Sequence, residues 1–97
     1  MDQQDIDLFR KLGEEYFSTK NYHKAIDNYE RYLKKNIDDC EFWFYLAQIY
    51  ELVEDWENAI RCYEQAKEID PQADNLFGYE EASINKIIEL REKLKKL

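Results

Sequence analysis

Residues 9–30 read FRKLGEEYFSTKNYHKAIDNYE, and 34 positions later residues 43–64 read WFYLAQIYELVEDWENAIRCYE. A sequence that returns at a fixed period of this length builds one supersecondary unit more than once, and the copies stack because none buries its apolar face alone. Leu12 pairs with Leu46, Tyr16 with Tyr50, Ala25 with Ala59, Ile26 with Ile60, Tyr29 with Tyr63 and Glu30 with Glu64. Close replacements are Phe9 with Trp43, Gly13 with Ala47 and Tyr22 with Trp56. The matches fall on apolar and small residues while most charged positions change, as expected if selection acts on packing.

Each copy reads as two helices. Phe9, Leu12, Gly13 and Tyr16 stand at i, i+3, i+4, i+7, and Trp43, Leu46, Ala47 and Tyr50 repeat the spacing, which lines one helical face. A second face follows in Tyr22, Ala25, Ile26, Tyr29 and Leu33, echoed by Trp56, Ala59, Ile60, Tyr63 and Ala66. Only Ser18-Thr19-Lys20-Asn21 and Val53-Glu54-Asp55 separate them, and connections that short make antiparallel neighbours. Gly13 is expected to face Ala25, and Ala47 to face Ala59, so that the backbones approach closely. The chain has two Gly and one Pro, too few for the frequent turns of an all-β fold. Its 97 residues fit one domain.

These positions resemble the tetratricopeptide repeat, a helical hairpin with the pattern W-x2-L-G-x2-Y, a small Ala, an aromatic and a closing Pro. The second copy supplies Trp43, Leu46, Ala47, Tyr50, Ala59, Tyr63, Ala66 and Pro71. The first supplies Phe9, Leu12, Gly13, Tyr16, Ala25 and Tyr29, with Tyr32 in place of the second Ala and Ile37 in place of the Pro. Lys20 and Glu54 stand where the family commonly has the Gly of the inter-helix turn. The resemblance implies an all-α fold, an α-solenoid whose antiparallel helix pairs wind into a right-handed superhelix of about five helices. Repeat one is expected over 6–39, repeat two over 40–73 and a capping helix over about 74–97.

Two starts are open for that last helix: at Asp74, or near Tyr79 if Gly78 breaks it. Ile84, Ile87, Ile88, Leu90, Leu94 and Leu97 form its apolar stripe, which would cover the open end of the second repeat. Residues 86–97 carry a net charge of +3 against −11 for the rest. Basic residues suit a helix C-terminus, and the length of the segment also admits a homodimer through this helix.

Several function classes are disfavoured. His23 is the single histidine, no Ser or Cys has a His and a carboxylate at matching helical spacing, and no Gly-rich phosphate loop occurs. An enzyme is not expected, nor a cofactor. Cys40 and Cys62 form no C-x-x-C pair and have no neighbours at metal spacing, so two free thiols and no metal site are expected. The net charge of −8 opposes nucleic acid and anionic membrane surfaces as partners. The acidic MDQQDIDLFRK start lacks a signal peptide's apolar stretch, and nothing approaches the roughly 18 apolar residues of a membrane span. The expectation is an intracellular, cytoplasmic protein.

On the first helix of each copy a second stripe lies roughly 120–130° from the core face. It comprises Asp7, Arg10, Glu14 and Phe17, and one period later Glu41, Phe44, Gln48 and Glu51. The resemblance implies that this stripe faces the concave groove in which the family binds peptides. Phe17 and Phe44 are expected to be exposed there, and apolar groups on a polar stripe call for a partner. The family's clamp for chaperone C-termini needs Asn where Glu14 and Tyr45 stand, and Arg10 alone matches a basic clamp position. Residues 36–70 carry ten acidic and two basic side chains, a field that favours a basic partner. The expected activity is therefore that of an adaptor or scaffold, binding a protein or peptide with basic and apolar groups.

Overall fold

The computed structural model describes residues 3–69 and 79–97. Among these it contains α1 (Gln3–Ser18), α2 (Tyr22–Lys35), α3 (Cys40–Leu52), α4 (Trp56–Ile69) and α5 (Tyr79–Lys95), and no strand. The all-α expectation with about five helices holds. Pro71 and both candidate starts of the last helix, Asp74 and Gly78, lie outside the described residues. The helices group into two compact units, one ending at Ile37 and one beginning at Asp38.

The two inter-helix turns are built identically. The Asn21 N–H reaches back to the Tyr16 carbonyl (2.8 Å) and the Lys20 N–H to the Phe17 carbonyl (2.9 Å). One period later Asp55 reaches Tyr50 (2.9 Å) and Glu54 reaches Glu51 (3.0 Å). This pair of bonds closes a helix only if the residue after the C-cap is left-handed. Lys20 and Glu54 are so, with φ of 65° and 61°. These are the positions where glycine is common in the family that the sequence resembles. The helix starts differ. Asp55 accepts the Asn58 N–H (3.3 Å) and Asp39 the Phe42 N–H (3.2 Å), whereas Asn21 makes no side-chain cap.

In the first unit α1 packs on α2. What lies against Gly13 is the ring of Tyr29: a Cβ at Gly13 would stand 2.6 Å from Tyr29 Cδ1. Sequence spacing pairs Gly13 with Ala25; the atoms nearest to the missing side chain are those of Tyr29, one turn further along α2. Ala25 and Leu33 are fully buried, and Tyr29 and Tyr32 nearly so. Asn28 is buried as well, its Nδ2 donating to the Lys24 carbonyl (2.9 Å). Arg31 sits over the Phe9 ring and Lys24 over the Tyr16 ring.

In the second unit α3 packs on α4, and α5 lies chiefly on α4 with a smaller contact to α3. Leu46, Ala47, Ala59, Cys62, Tyr63 and Ala66 are inaccessible to solvent. The apolar stripe expected on α5 divides. Ile87 and Leu90 are buried beside Ser83 and Leu94 is half-buried, whereas Ile84, Ile88 and Leu97 are exposed. α4, with a smaller part played by α3, covers only one side of α5, so a stripe as wide as Ile84 to Leu90 is not all buried. Polar contacts border the covered side: Arg91 to Glu64 (2.9 Å), Lys86 to Glu51 (3.4 Å), and Lys93 Nζ 4.6 Å from the centre of the Trp56 ring.

Candidate functional site

The stripe expected to face a ligand has two halves, one on each unit. On α1, Glu14 and Phe17 are exposed and Asp7 and Arg10 half-buried. Phe17 leans on Tyr22 across the turn, ring centroids 5.8 Å apart. The contact fixes Phe17 while leaving one of its faces in solvent. Among the described residues no hydrogen bond is made to the buried Arg10 Nε.

On α3 the outcome is mixed. Glu41 and Gln48 are exposed as expected. Phe44 and Glu51 are not open. Phe44 is half-buried, edge-on against Tyr63 of α4 at 5.2 Å. The Glu51 carboxylate accepts the Tyr63 hydroxyl through Oε2 and lies 3.4 Å from Lys86 Nζ through Oε1, leaving its side chain 17% exposed. At about 100° per residue, Phe44 and Glu51 lie about 80–100° from Trp43, and Glu41 and Gln48 about 140–160°. The stripe is wide, and α4 and α5 cover its nearer edge.

The residues that open furthest from the core were missed from sequence. Tyr45 and Leu52 stand about 160–180° from Trp43, and they are 40% and 54% exposed. Tyr45 is steadied edge-to-face by Phe42 (5.5 Å). Glu41, Tyr45, Gln48 and Leu52 follow one another at intervals of four, three and four along one exposed ridge of α3. That spacing was legible in the sequence as the side opposite Trp43.

The Tyr63–Glu51–Lys86 chain ties α3, α4 and α5 together. Burial raises the Tyr63 hydroxyl well above the usual phenol range, and the Glu51 carboxylate that takes its hydrogen bond raises it further. The hydroxyl stays protonated and donates to a carboxylate with little solvent. It is a structural strut, and solvent does not reach it. Cys40 Sγ donates to the Ala66 carbonyl (3.3 Å) and Cys62 is buried; neither is in a disulfide. Among the described residues no group of three His, Cys, Asp or Glu side chains could hold a metal ion, and no helix is long and apolar enough to cross a membrane.

Helical hairpins with a left-handed residue closing the first helix, and with small and aromatic residues at matching depth, define a class of repeat proteins that work by presenting helix faces. Two tetratricopeptide repeat models match the chain, one over residues 9–34 and one over residues 40–73, together more than half its length. The chain belongs to the tetratricopeptide repeat family. No curated protein matches it. Repeats of this family mediate protein–protein interaction and are non-catalytic modules.

Proposed function

We propose that this chain is a peptide-binding adaptor whose ligand, an extended or helical segment with basic and apolar groups, engages the exposed ridge of α3. The observation that carries the reading is the α3 ridge, where the exposed Tyr45 and Leu52 alternate with Glu41 and Gln48. Solvated helix faces are usually polar, and an exposed aromatic two turns from an exposed aliphatic on one ridge offers two apolar anchor points, with the acidic Glu41 next to the first. Asp7, Arg10, Glu14 and Phe17 are a separate candidate contact face on α1; the proposed site on α3 comprises Glu41, Phe44, Gln48 and Glu51 together with Tyr45 and Leu52. Within it, Phe44 and Glu51 act as a wall rather than as first contacts, because both are engaged by Tyr63. Acidic charge over residues 36–70 speeds the approach of a basic ligand.

Selection of a random peptide library on the purified chain tests this. Basic-apolar sequences are expected. Tyr45→Ala with Leu52→Ala is expected to weaken a selected peptide at least tenfold with the helical spectrum unchanged, and added salt to weaken it further. Enrichment of acidic peptides, or binding indifferent to the double substitution, would refute the proposal.

A further inference from the structure

Along one edge of its contact with α4, α5 carries a feature that ligand binding leaves unused. Ile84 is 40% exposed and Ile88 58% exposed, one turn apart. Glu81 precedes them by three residues and Arg91 follows by three, both exposed. Glu81, Ile84, Ile88 and Arg91 thus run at intervals of three, four and three, the spacing of a seam on which two helices pack. The order along the seam is acid, apolar, apolar, base.

That order is complementary to itself reversed. We infer that α5 is the contact of a weak symmetric dimer in which two copies of this chain lay their α5 helices antiparallel, Ile84 against Ile88 of the other copy and Glu81 against Arg91 of the other copy. A parallel pairing would set Glu81 against Glu81 and Arg91 against Arg91, so charge selects the antiparallel register. Arg91 already bonds Glu64 of its own chain at 2.9 Å, and a guanidinium has donors enough for a second carboxylate. Two isoleucines a side are far less than the ~800 Å² per partner of a stable interface. The association is therefore expected to be weak and to become visible between micromolar and millimolar concentration. The inference stands independently of the ligand reading, since α5 presents another surface.

Sedimentation equilibrium of the full chain over that range tests it. The unaltered chain is expected to dimerise reversibly, and Ile88→Glu to remain monomeric with an unchanged thermal melt. Glu81→Lys and Arg91→Glu, each alone, place like charges in both outer layers and are expected to lower the association constant several-fold. An equimolar mixture of these two variants pairs opposite charges in every layer and is expected to recover it. A monomeric chain at millimolar concentration, a dimer that survives Ile88→Glu, or a mixture no tighter than its components would each overturn the inference.

Discussion

Gly13→Ala sets two ordinary effects against each other. In an isolated helix the change is favourable by about 1 kcal/mol, because alanine loses less backbone freedom on folding. Here the added Cβ would lie 2.6 Å from Tyr29 Cδ1, 2.7 Å from Cε1 and 3.2 Å from Cγ. Ordinary contact begins near 3.4 Å, so the ring must retreat by about 0.8 Å. Tyr29 is 4% exposed and has no open side to move into. Overpacking of this kind costs about 1–3 kcal/mol, so the expected net is a loss of about 1 kcal/mol. Urea unfolding followed by far-UV circular dichroism reads it directly, and a melt should fall by about 4–8 °C for a chain of this size. Tyr29→Leu is the partner change. On that background the clash is gone and Gly13→Ala should turn stabilising, giving a coupling above the additivity error of roughly 0.5 kcal/mol. A Gly13→Ala variant as stable as the unaltered chain, or a double variant that is simply additive, would refute the packing argument.

Three further outcomes follow from the same structure. Lys20→Gly and Glu54→Gly relieve left-handed backbone that costs a non-glycine residue about 1–2 kcal/mol, less the roughly 0.5–1 kcal/mol of chain entropy that glycine loses. Each should raise stability by about 0.5 kcal/mol in chemical denaturation, and a loss at either site would contradict the turn geometry. Ser83→Ala removes a buried hydroxyl with no hydrogen-bond partner among the described residues, so a gain of about 1 kcal/mol is expected from urea unfolding. A loss would mean that the hydroxyl has a partner after all. Tyr63 keeps its proton in the folded state above the pH near 10 at which an unfolded tyrosine loses it. Its contribution is complete below that pH and is lost as pH rises towards the folded value, because the unfolded chain then binds fewer protons. Stability should fall above pH 10 with a slope that Tyr63→Phe reduces, measured by denaturation at stepped pH, and an identical slope in the variant would remove Tyr63 from the titration.

The hairpins and their turns were legible in the sequence because their causes are local. A 3.6-residue period shows which face of a helix is apolar, and a matched pair of such faces three or four residues apart makes a hairpin. The left-handed positions at Lys20 and Glu54 follow from two helices having to reverse within so short a connection. The width of each face was not legible. Phe44 and Glu51 share a stripe with Glu41 and Gln48 in one dimension, yet Tyr63, 12 residues beyond Glu51, and Lys86, 35 residues beyond it, decide that only part of that stripe is open. The burial of Asn28 and Cys62, at the same place in the two repeats, is likewise set by what stands opposite them. On α5 both Ile84 and Ile87 satisfied the helical pattern, and the position of α4 left the first in water and sealed the second. Periodicity reports the direction of a helix face, whereas its edges are drawn by neighbours that are distant in the chain, and a binding surface is what those neighbours leave uncovered.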